Sequence, residues 1–453
     1  MMNRLFFLVF LLLTSCTADL TLISSEILSP EHQLTAPYES SQSCQGCHSE
    51  IYMQYENSMH SKAFDNPVFS AHYFNEIVPR AQRDPSFVAE ARKCIFCHAP
   101  VIYMNTAELV SSKEQVAHLE SGVTCDFCHT FSGYAPNGDY LQSLSMKKQG
   151  PFQKTSWHSE YSGFVEVSEF CGPCHNNSNH VGIDVKSTYD EWRESSFALK
   201  RIVCQECHMN KNGYLKNGKA EFNSGAAAHI NLGTYKFEMD QHERLFSHSF
   251  PGAHTDSHLT ETIQIEFERG DRTPDSGGKI HFYLIVDNSN IGHSMPTGSS
   301  DLRILWLDVT AKTNQGKSAR VNLKKAVHQE SADYAIAGGS PEDTLIIGND
   351  IPAGARLYRT VYVDGKGLQT LLKADSKKIF DNRLIAGELR REEFEIPLPE
   401  KYSGTVNVTA TLSYRGTLTS FTRRLGVPDI KPVVITTGSQ NMAVTAYPTM
   451  ENP

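Results

Sequence analysis

The chain has 453 residues, of which 40% are hydrophobic, and a formal net charge of −9. This length is sufficient for two or three domains, and the acidic balance argues against binding to nucleic acid. After the N-terminal segment, no stretch approaches the ~20 consecutive apolar residues that a membrane-spanning helix needs.

The N-terminus has the pattern of a bacterial lipoprotein signal. Arg4 precedes an apolar run over 5–13 that is too short to span a bilayer. Leu13-Thr14-Ser15-Cys16 follows and resembles a lipoprotein box, in which cleavage precedes the cysteine and the cysteine carries lipid. The alternative is an ordinary signal peptide with a chance cysteine. We predict a signal peptide over 1–15, a lipid on Cys16 and a polar tether over 16–42.

The remaining ten of the 11 cysteines lie in five copies of Cys-x-x-Cys-His between residues 44 and 208. Composition alone would produce about 0.01 such matches. The motif is the attachment signature of haem c: the two thiols form thioethers with the haem vinyl groups, and the adjacent histidine binds the iron. Zinc sites and disulfide frameworks also use Cys-x-x-Cys pairs, but neither needs a histidine directly after the second cysteine.

The sequence therefore predicts five covalently attached haem c groups. The attachment cysteines are Cys44, Cys47, Cys94, Cys97, Cys125, Cys128, Cys171, Cys174, Cys204 and Cys207. The proximal iron ligands are His48, His98, His129, His175 and His208. Because haem c is attached outside the bacterial cytoplasm, the motifs agree with the export signal. Thr17, and not Asp, follows Cys16, so we expect an outer-membrane lipoprotein facing the periplasm or the cell surface.

The two halves of the chain differ in pattern. Residues 43–258 hold all five motifs, and helix signals such as Asp84-Pro85 precede several of them. Residues 259–437 contain alternating apolar runs separated by turn residues. We predict a mainly α, haem-packed multihaem domain followed by an antiparallel β-sandwich. Within the first half, residues 209–258 are predicted to form a wrapping connector. At the C-terminus, residues 438–453 are predicted to form a loose tail. The predicted strands include Arg356–Val363, Thr405–Tyr414 and Thr419–Leu425.

Several segments resemble a known family. They are Ser58-Met59-His60-Ser61-Lys62-Ala63, Gly122 through His129, Thr188 through Ser195, and Val203 through Met209. They resemble the multihaem cytochromes c related to the tetrahaem cytochrome of the nitrification pathway and to hydroxylamine-oxidoreductase-like proteins. Gly292-His293 through Gly298, with Arg303, resembles the β-domains appended to some of them. The resemblance implies closely stacked, mostly bis-His haems. Relatives often have a histidine near the position of Phe197 that binds a haem iron. In this chain, His180, His229 or a β-domain histidine could take over that role.

A second axial ligand decides whether a haem only transfers electrons or also binds substrate. Of the 19 histidines, 14 are not proximal, so ligands are plentiful. The candidates that we favour for the distal position are His60, His158, His248, His254 and His293. Weaker candidates are His118, His180 and His229, and a methionine such as Met104 or Met209 is a further alternative. His248, His254 and His258 could instead form a zinc site. Otherwise, the histidines predicted to be solvated are His32, His72, His242, His258, His281 and His328.

These features predict an exported electron-transfer protein that works with redox partners, an electron donor and an electron acceptor. No catalytic residue is predicted. An alternative is a multihaem oxidoreductase that acts on hydroxylamine or a small nitrogen or sulfur oxyanion at one open haem. A third interpretation is a docking subunit, in which the β-sandwich holds the cytochrome against a partner.

Overall fold

The computed structural model describes residues 38–134, 140–142, 147–153, 159–179, 181–232, 235–254, 256–260, 262–268, 270, 273–275, 278–319, 321–323, 334–339, 346–348, 350–399 and 401–445. The predicted signal peptide, Cys16, most of the tether, His158 and His180 lie outside the described residues. Residues 39–453 form one unit by their contacts.

Short helices and turns carry the five motifs. The α-helices are α1 (Ser41–Cys44), α2 (Ser49–Asn57), α3 (Pro67–His72), α4 (Val78–Arg83), α5 (Val88–His98), α6 (Pro100–Asn105), α7 (Cys125–Thr130), α8 (Gly172–His175), α9 (Thr188–Arg193), α10 (Ser196–Leu199), α11 (Cys204–His208), α12 (Asp256–Leu259) and α13 (Thr419–Leu425). A π-helical turn (Tyr73–Ile77) and 3-10 turns (Pro85–Phe87, Glu114–Val116, Gly163–Glu166, Ser168–Phe170 and Lys373–Asp375) join some of them.

The helix that we predicted from Asp84-Pro85 is confirmed. The Asp84 carboxylate accepts a hydrogen bond from the Ser86 backbone N–H at 3.1 Å, which satisfies a donor that the first turn leaves unpaired. The turn Pro85–Phe87 then runs directly into α5, which continues to His98. The second motif is therefore the last turn of a capped helix.

Four small two-stranded sheets lie among these helices. They pair β1 (Phe131–Tyr134) with β2 (Tyr140–Gln142), β3 (Lys148–Gly150) with β4 (Ser159–Tyr161), β5 (Asn176–Ser178) with β6 (Asp184–Ser187), and β7 (Asn223–Leu232) with β8 (Tyr235–Leu245). "Mainly α" therefore overstates the helical content of the haem-motif region. The connector predicted over 209–258 is also wrong where the long β7–β8 hairpin forms. Its small residues Ala226–Ala228 show little apolar alternation, so backbone pairing dominates there.

The C-terminal region is built from antiparallel sheets. Its strands are β9 (Gln264–Glu268), β10 (Lys279–Asp287), β11 (Ile304–Thr313), β12 (Ser318–Ala319), β13 (Asn322–Leu323), β14 (Arg356–Tyr358), β15 (Thr360–Val363), β16 (Gln369–Thr370), β17 (Lys378–Asp381), β18 (Leu389–Pro397), β19 (Gly404–Arg415) and β20 (Val433–Val444). One sheet has the order β13-β18-β10-β9, a second has β12-β11-β19-β20 with β14 beside β11, and a third has β16-β15-β17.

Alternation with period two buries one face of β10. Ile280, Phe282, Leu284 and Val286 are fully buried, and they share a hydrophobic core with residues of β11, β18 and β19. The two larger sheets thus contribute to one core, as alternating strands of a layered β-domain do. β20 continues to Val444, beyond position 437, where we expected the β-region to end.

The strand predicted over Thr419–Leu425 is wrong, because this segment is helix α13. Leu418, Phe421, Thr422 and Leu425 are buried, and this spacing places one apolar stripe on a helix. Gly426 ends the helix with a φ of +68°, a left-handed conformation that glycine adopts easily.

Side chains of both regions pack together. Val68 and Ala71 of α3 pack against a core that contains Phe421 of α13. Farther along, the Tyr362 hydroxyl donates to the Val185 carbonyl at 3.0 Å. Elements of the β-region therefore contact helices and strands of the haem-motif region directly.

Candidate haem-binding site

The motif cysteines lie on or beside single helical turns. Motifs 2, 3 and 5 lie within α5, α7 and α11, motif 4 overlaps α8, and motif 1 joins α1 to α2. A helical turn brings residues i and i+3 to one side of the backbone, so both sulfurs of a motif can face one haem edge. None of the ten motif cysteines forms a disulfide. Among the described residues, no three His, Cys, Asp or Glu side chains gather as a metal-binding group.

Four proximal histidines share one hydrogen-bonding pattern. The Nδ1 atoms of His48, His98, His129 and His208 lie 2.8, 2.9, 2.6 and 2.9 Å from the backbone carbonyls of Ala227, Ala63, Gln149 and Pro251, respectively. A carbonyl can only accept, so Nδ1 carries the proton and Nε2 keeps its lone pair. This is the tautomer that metal-binding histidines adopt.

Burial keeps most of these imidazoles neutral. Loss of solvent lowers the pKa of His98 and of His175 to about 3, and it also lowers the pKa of His129 and His208. A protonated imidazole cannot bind iron, so a low pKa preserves the ligand form at neutral pH. Phe69 is stacked on His98 with ring centroids 3.8 Å apart, which fixes that ring in orientation.

Three proximal histidines face a second imidazole. Ring centroids are 6.2 Å apart for His129 and His248, 6.2 Å for His208 and His293, and 6.4 Å for His175 and His60. The interplanar angles are 24°, 10° and 74°, in that order.

This spacing fits an iron atom between each pair. An imidazole nitrogen binds a metal at about 2.0–2.1 Å, and the ring centroid lies about 1.1 Å behind that nitrogen, so two axial imidazoles have centroids about 6.3 Å apart. The interplanar angle is unconstrained, because either ring can rotate about its bond to the metal. The donor set and its spacing therefore fit the haem that the motifs imply.

Two of the facing histidines repeat the proximal pattern. The Nδ1 of His248 lies 3.0 Å from the Phe246 carbonyl, and the Nδ1 of His293 lies 3.0 Å from the Ser294 carbonyl. In both, Nε2 is the nitrogen left for a metal. Burial also lowers the pKa of His60 to about 4 and of His248 to about 3.

The remaining candidates lie elsewhere. His254 is exposed, and so is His118. His229 lies on β7, where its backbone N–H donates to the Cys47 carbonyl at 2.7 Å. His258, which we predicted to be solvated, lies near His208, with centroids 5.9 Å apart and ring planes at 53°. Within the described part of the chain, the His258 Nδ1 has no hydrogen-bond partner.

Thiol contacts show which motifs are neighbours. A hydrogen bond from Cys174 lowers the pKa of Cys97 to about 7. Contacts with Cys44 and Cys171 similarly lower the pKa values of Cys125 and Cys204. Motif 1 therefore lies beside motif 3, motif 2 beside motif 4, and motif 4 beside motif 5.

Two residues near these histidines were not predicted from the sequence. Glu191 accepts hydrogen bonds from the loop that carries His293, and Phe250 contacts both His60 and His248. Glu191 had only a helix-start signal, and Phe250 had only its place between two histidines. Neither pattern indicates a contact so distant in the chain.

No helix in the described part of the chain is long and apolar enough to cross a membrane. The five Cys-x-x-Cys-His motifs and the paired imidazoles resemble the haem-binding sites of multihaem c-type cytochromes.

Comparisons with known proteins agree with this class. The family described as cytochrome c554 and c-prime matches residues 43–130. The penta-heme cytochrome c552 from Thermochromatium tepidum has a similar fold, with a TM-score of 0.59 and 20% identity, over 89% of this chain and 99% of that chain. The sporulation control protein Spo0M from Bacillus subtilis has a TM-score of 0.16 and 12% identity, over 41% of this chain and 50% of that one. No curated protein matches.

Proposed function

We propose that the protein is an exported, lipid-anchored pentahaem cytochrome c that passes electrons through closely packed, mostly bis-His haems. The observation that carries this proposal is the set of three imidazole pairs with centroids 6.2–6.4 Å apart. When bound, haem iron accepts and releases single electrons. The protein's own contribution is to attach each haem and to hold two neutral imidazoles toward its iron.

We number the haems 1 to 5 by their motifs. In this proposal, His248 is the distal ligand of haem 3, His60 that of haem 4 and His293 that of haem 5. His158 and His254 remain our candidates for haems 1 and 2. A sixth ligand leaves no open coordination position, and such sites transfer electrons without binding substrate. Motif 1 lies beside motif 3, and motif 4 lies beside both motif 2 and motif 5. These neighbours support a close spacing of the haems.

The same proposal covers the rest of the chain. Lipid on Cys16 would anchor the protein, and residues 17–42 would tether the haem region about 25–30 Å away. We expect an outer-membrane location, with an electron donor and an electron acceptor as partners. The shared core of the two larger sheets supports a β-sandwich. The penta-heme cytochrome c552 supports the count of five haems, and the motif segments support kinship with the nitrification and hydroxylamine-oxidoreductase-like cytochromes.

Haem stoichiometry and mass test this proposal. We expect pyridine haemochrome titration to give five haems per chain, because the sequence has five complete motifs. The intact mass should equal the chain from Cys16 plus five haems and lipid. A Cys204→Ala, Cys207→Ala double variant should contain four haems. A colourless product, or a mass without haem, would refute the proposal.

Optical and EPR spectra separate electron transfer from catalysis. A bis-His protein should be low-spin at every iron and should not respond to CO. A high-spin signal that shifts with CO in the unmodified protein would instead favour the oxidoreductase alternative, with one haem open to a substrate.

A further inference from the structure

The segment Ser247–Pro251 lies among the ligands of three motifs. The Ser247 backbone N–H donates to the carbonyl of Met209, directly after motif 5, at 2.7 Å. His248 faces His129 of motif 3, and the Pro251 carbonyl accepts from the Nδ1 of His208. Five consecutive residues therefore touch the surroundings of haem 3 and haem 5.

The ring of Phe250 extends this contact to haem 4. Its centroid lies 4.4 Å from that of His60, at an interplanar angle of 66°. It lies 5.8 Å from that of His248, at 79°. Both are edge-to-face arrangements of the kind that aromatic rings prefer. One phenyl ring thus packs against the distal imidazoles of two different haems.

Phe250 makes these contacts in an unfavourable backbone conformation. Its φ is +43°, in the left-handed region that bulky residues avoid. A glycine would adopt this φ at little cost. Strained residues persist only where the surrounding structure holds them, and they occur often at functional sites.

Neighbouring contacts hold the segment in place. The His248 backbone N–H donates to the Gln54 side-chain oxygen at 2.9 Å. Pro251 packs so closely on Gly213 that a Cβ added there would lie 2.3 Å from the proline ring. The segment also forms one wall of a cavity of about 540 Å³, which Ser249 and Pro251 line together with α2. Contacts of the residues on both sides of Phe250 therefore hold it in its strained conformation.

We propose that Phe250 is a positioning residue that couples haems 3 and 4, because its ring sets the orientation of both distal imidazoles, His248 and His60. This inference rests on the proposed function, in which those histidines are iron ligands. The orientation of an axial imidazole affects the EPR signal of its haem, and a change at Phe250 therefore alters two haems at once.

The test compares three substitutions of Phe250 and one control in the full, haem-loaded protein. Phe250→Leu removes the ring and retains the strained φ, whereas Phe250→Gly removes both. We expect each to shift the g values of two low-spin haems and to change two reduction steps in a spectroelectrochemical titration. Phe250→Tyr preserves the ring and should reproduce the parent spectrum. Phe380→Leu is the control, because Phe380 lies on β17 in the C-terminal region and contacts Tyr334.

Parent-like EPR spectra in both Phe250→Leu and Phe250→Gly, each with a full haem count, would overturn the proposal. Should Phe250→Leu fold poorly, Phe250→Gly still tests it, since glycine relieves the strain. Failure of the underlying function has a different signature. If His60 and His248 are not ligands, His60→Ala and His248→Ala will produce no high-spin haem, whatever the Phe250 variants show.

Discussion

Replacing His293 by alanine will convert one of the haems from low-spin to high-spin and will make it bind CO. His293 faces His208 with ring centroids 6.2 Å apart and planes within 10° of parallel, so in the proposed assignment its loss would remove the sixth ligand of haem 5. Its Nδ1 contacts the Ser294 carbonyl, which leaves Nε2 as the nitrogen that would bind iron. Optical spectroscopy of the reduced protein with and without CO measures the effect, and added imidazole should reverse it.

His258 provides the control for this experiment. Its ring centroid lies 5.9 Å from that of His208, but its Nδ1, unlike that of His293, lacks a hydrogen-bond partner in the described residues. We expect His258→Ala to stay low-spin and insensitive to CO. The reverse outcome, an open haem in His258→Ala and none in His293→Ala, would assign the distal position to His258.

Replacing Glu191 by alanine will destabilise the protein and loosen the hold on haem 5. One Glu191 oxygen accepts from the Ser294 backbone N–H at 3.1 Å and from the Thr297 hydroxyl at 2.8 Å. The other accepts from Arg383 and from Ser187, both at 2.7 Å. Glu191 on α9 thus fixes the loop that presents His293.

The expected loss of unfolding free energy is about 3 kcal/mol. Both side chains of the Glu191–Arg383 pair are at most 10% exposed, and breaking a buried pair costs about 3–5 kcal/mol. Arg383 also pairs with Asp381 at 2.7 Å, so it keeps one partner in the variant. The loss should therefore lie at the lower end of this range. Chemical denaturation, followed by haem absorbance and by circular dichroism, measures this loss. A fraction of the variant should also bind CO.

Arg193 is the control for Glu191. It lies two residues farther along the same helix, and its side chain, which pairs with Asp190, is 58% exposed. Because exposed pairs contribute little, Arg193→Ala should lose less than about 1 kcal/mol and should not bind CO. Equal losses in the two variants would contradict a specific role for Glu191.

The sequence predicted what depends on local covalent chemistry. A Cys-x-x-Cys-His motif is complete within five residues, so the five copies predict haem-attachment sites without any tertiary information. His293 was also a candidate, because Gly, His and Pro between two strands are unusual for a simple turn. The capped start of the helix at Asp84-Pro85 depended on neighbouring residues too, and it was predicted correctly.

The errors arose where distant contacts decide the structure. Thr419–Leu425 has β-branched and aromatic residues typical of a strand, but its buried stripe against α3 favours a helix. The β7–β8 hairpin has little apolar alternation and is held partly by the contact of Ala227 with His48. Glu191 contacts residues that are more than 100 positions away, and no local pattern indicates such a contact.

The position of His293 has a consequence for biogenesis. Motif 5 ends at His208, so on a chain exported from its N-terminus, as we propose, its cysteines would be available for haem attachment well before His293 emerges. Until the strands around His293 fold and its loop docks on Glu191, haem 5 would have a vacant coordination site. Prompt folding of the C-terminal half would therefore protect the newly made protein from side reactions with oxygen, and truncated chains should be the most sensitive to oxidative damage.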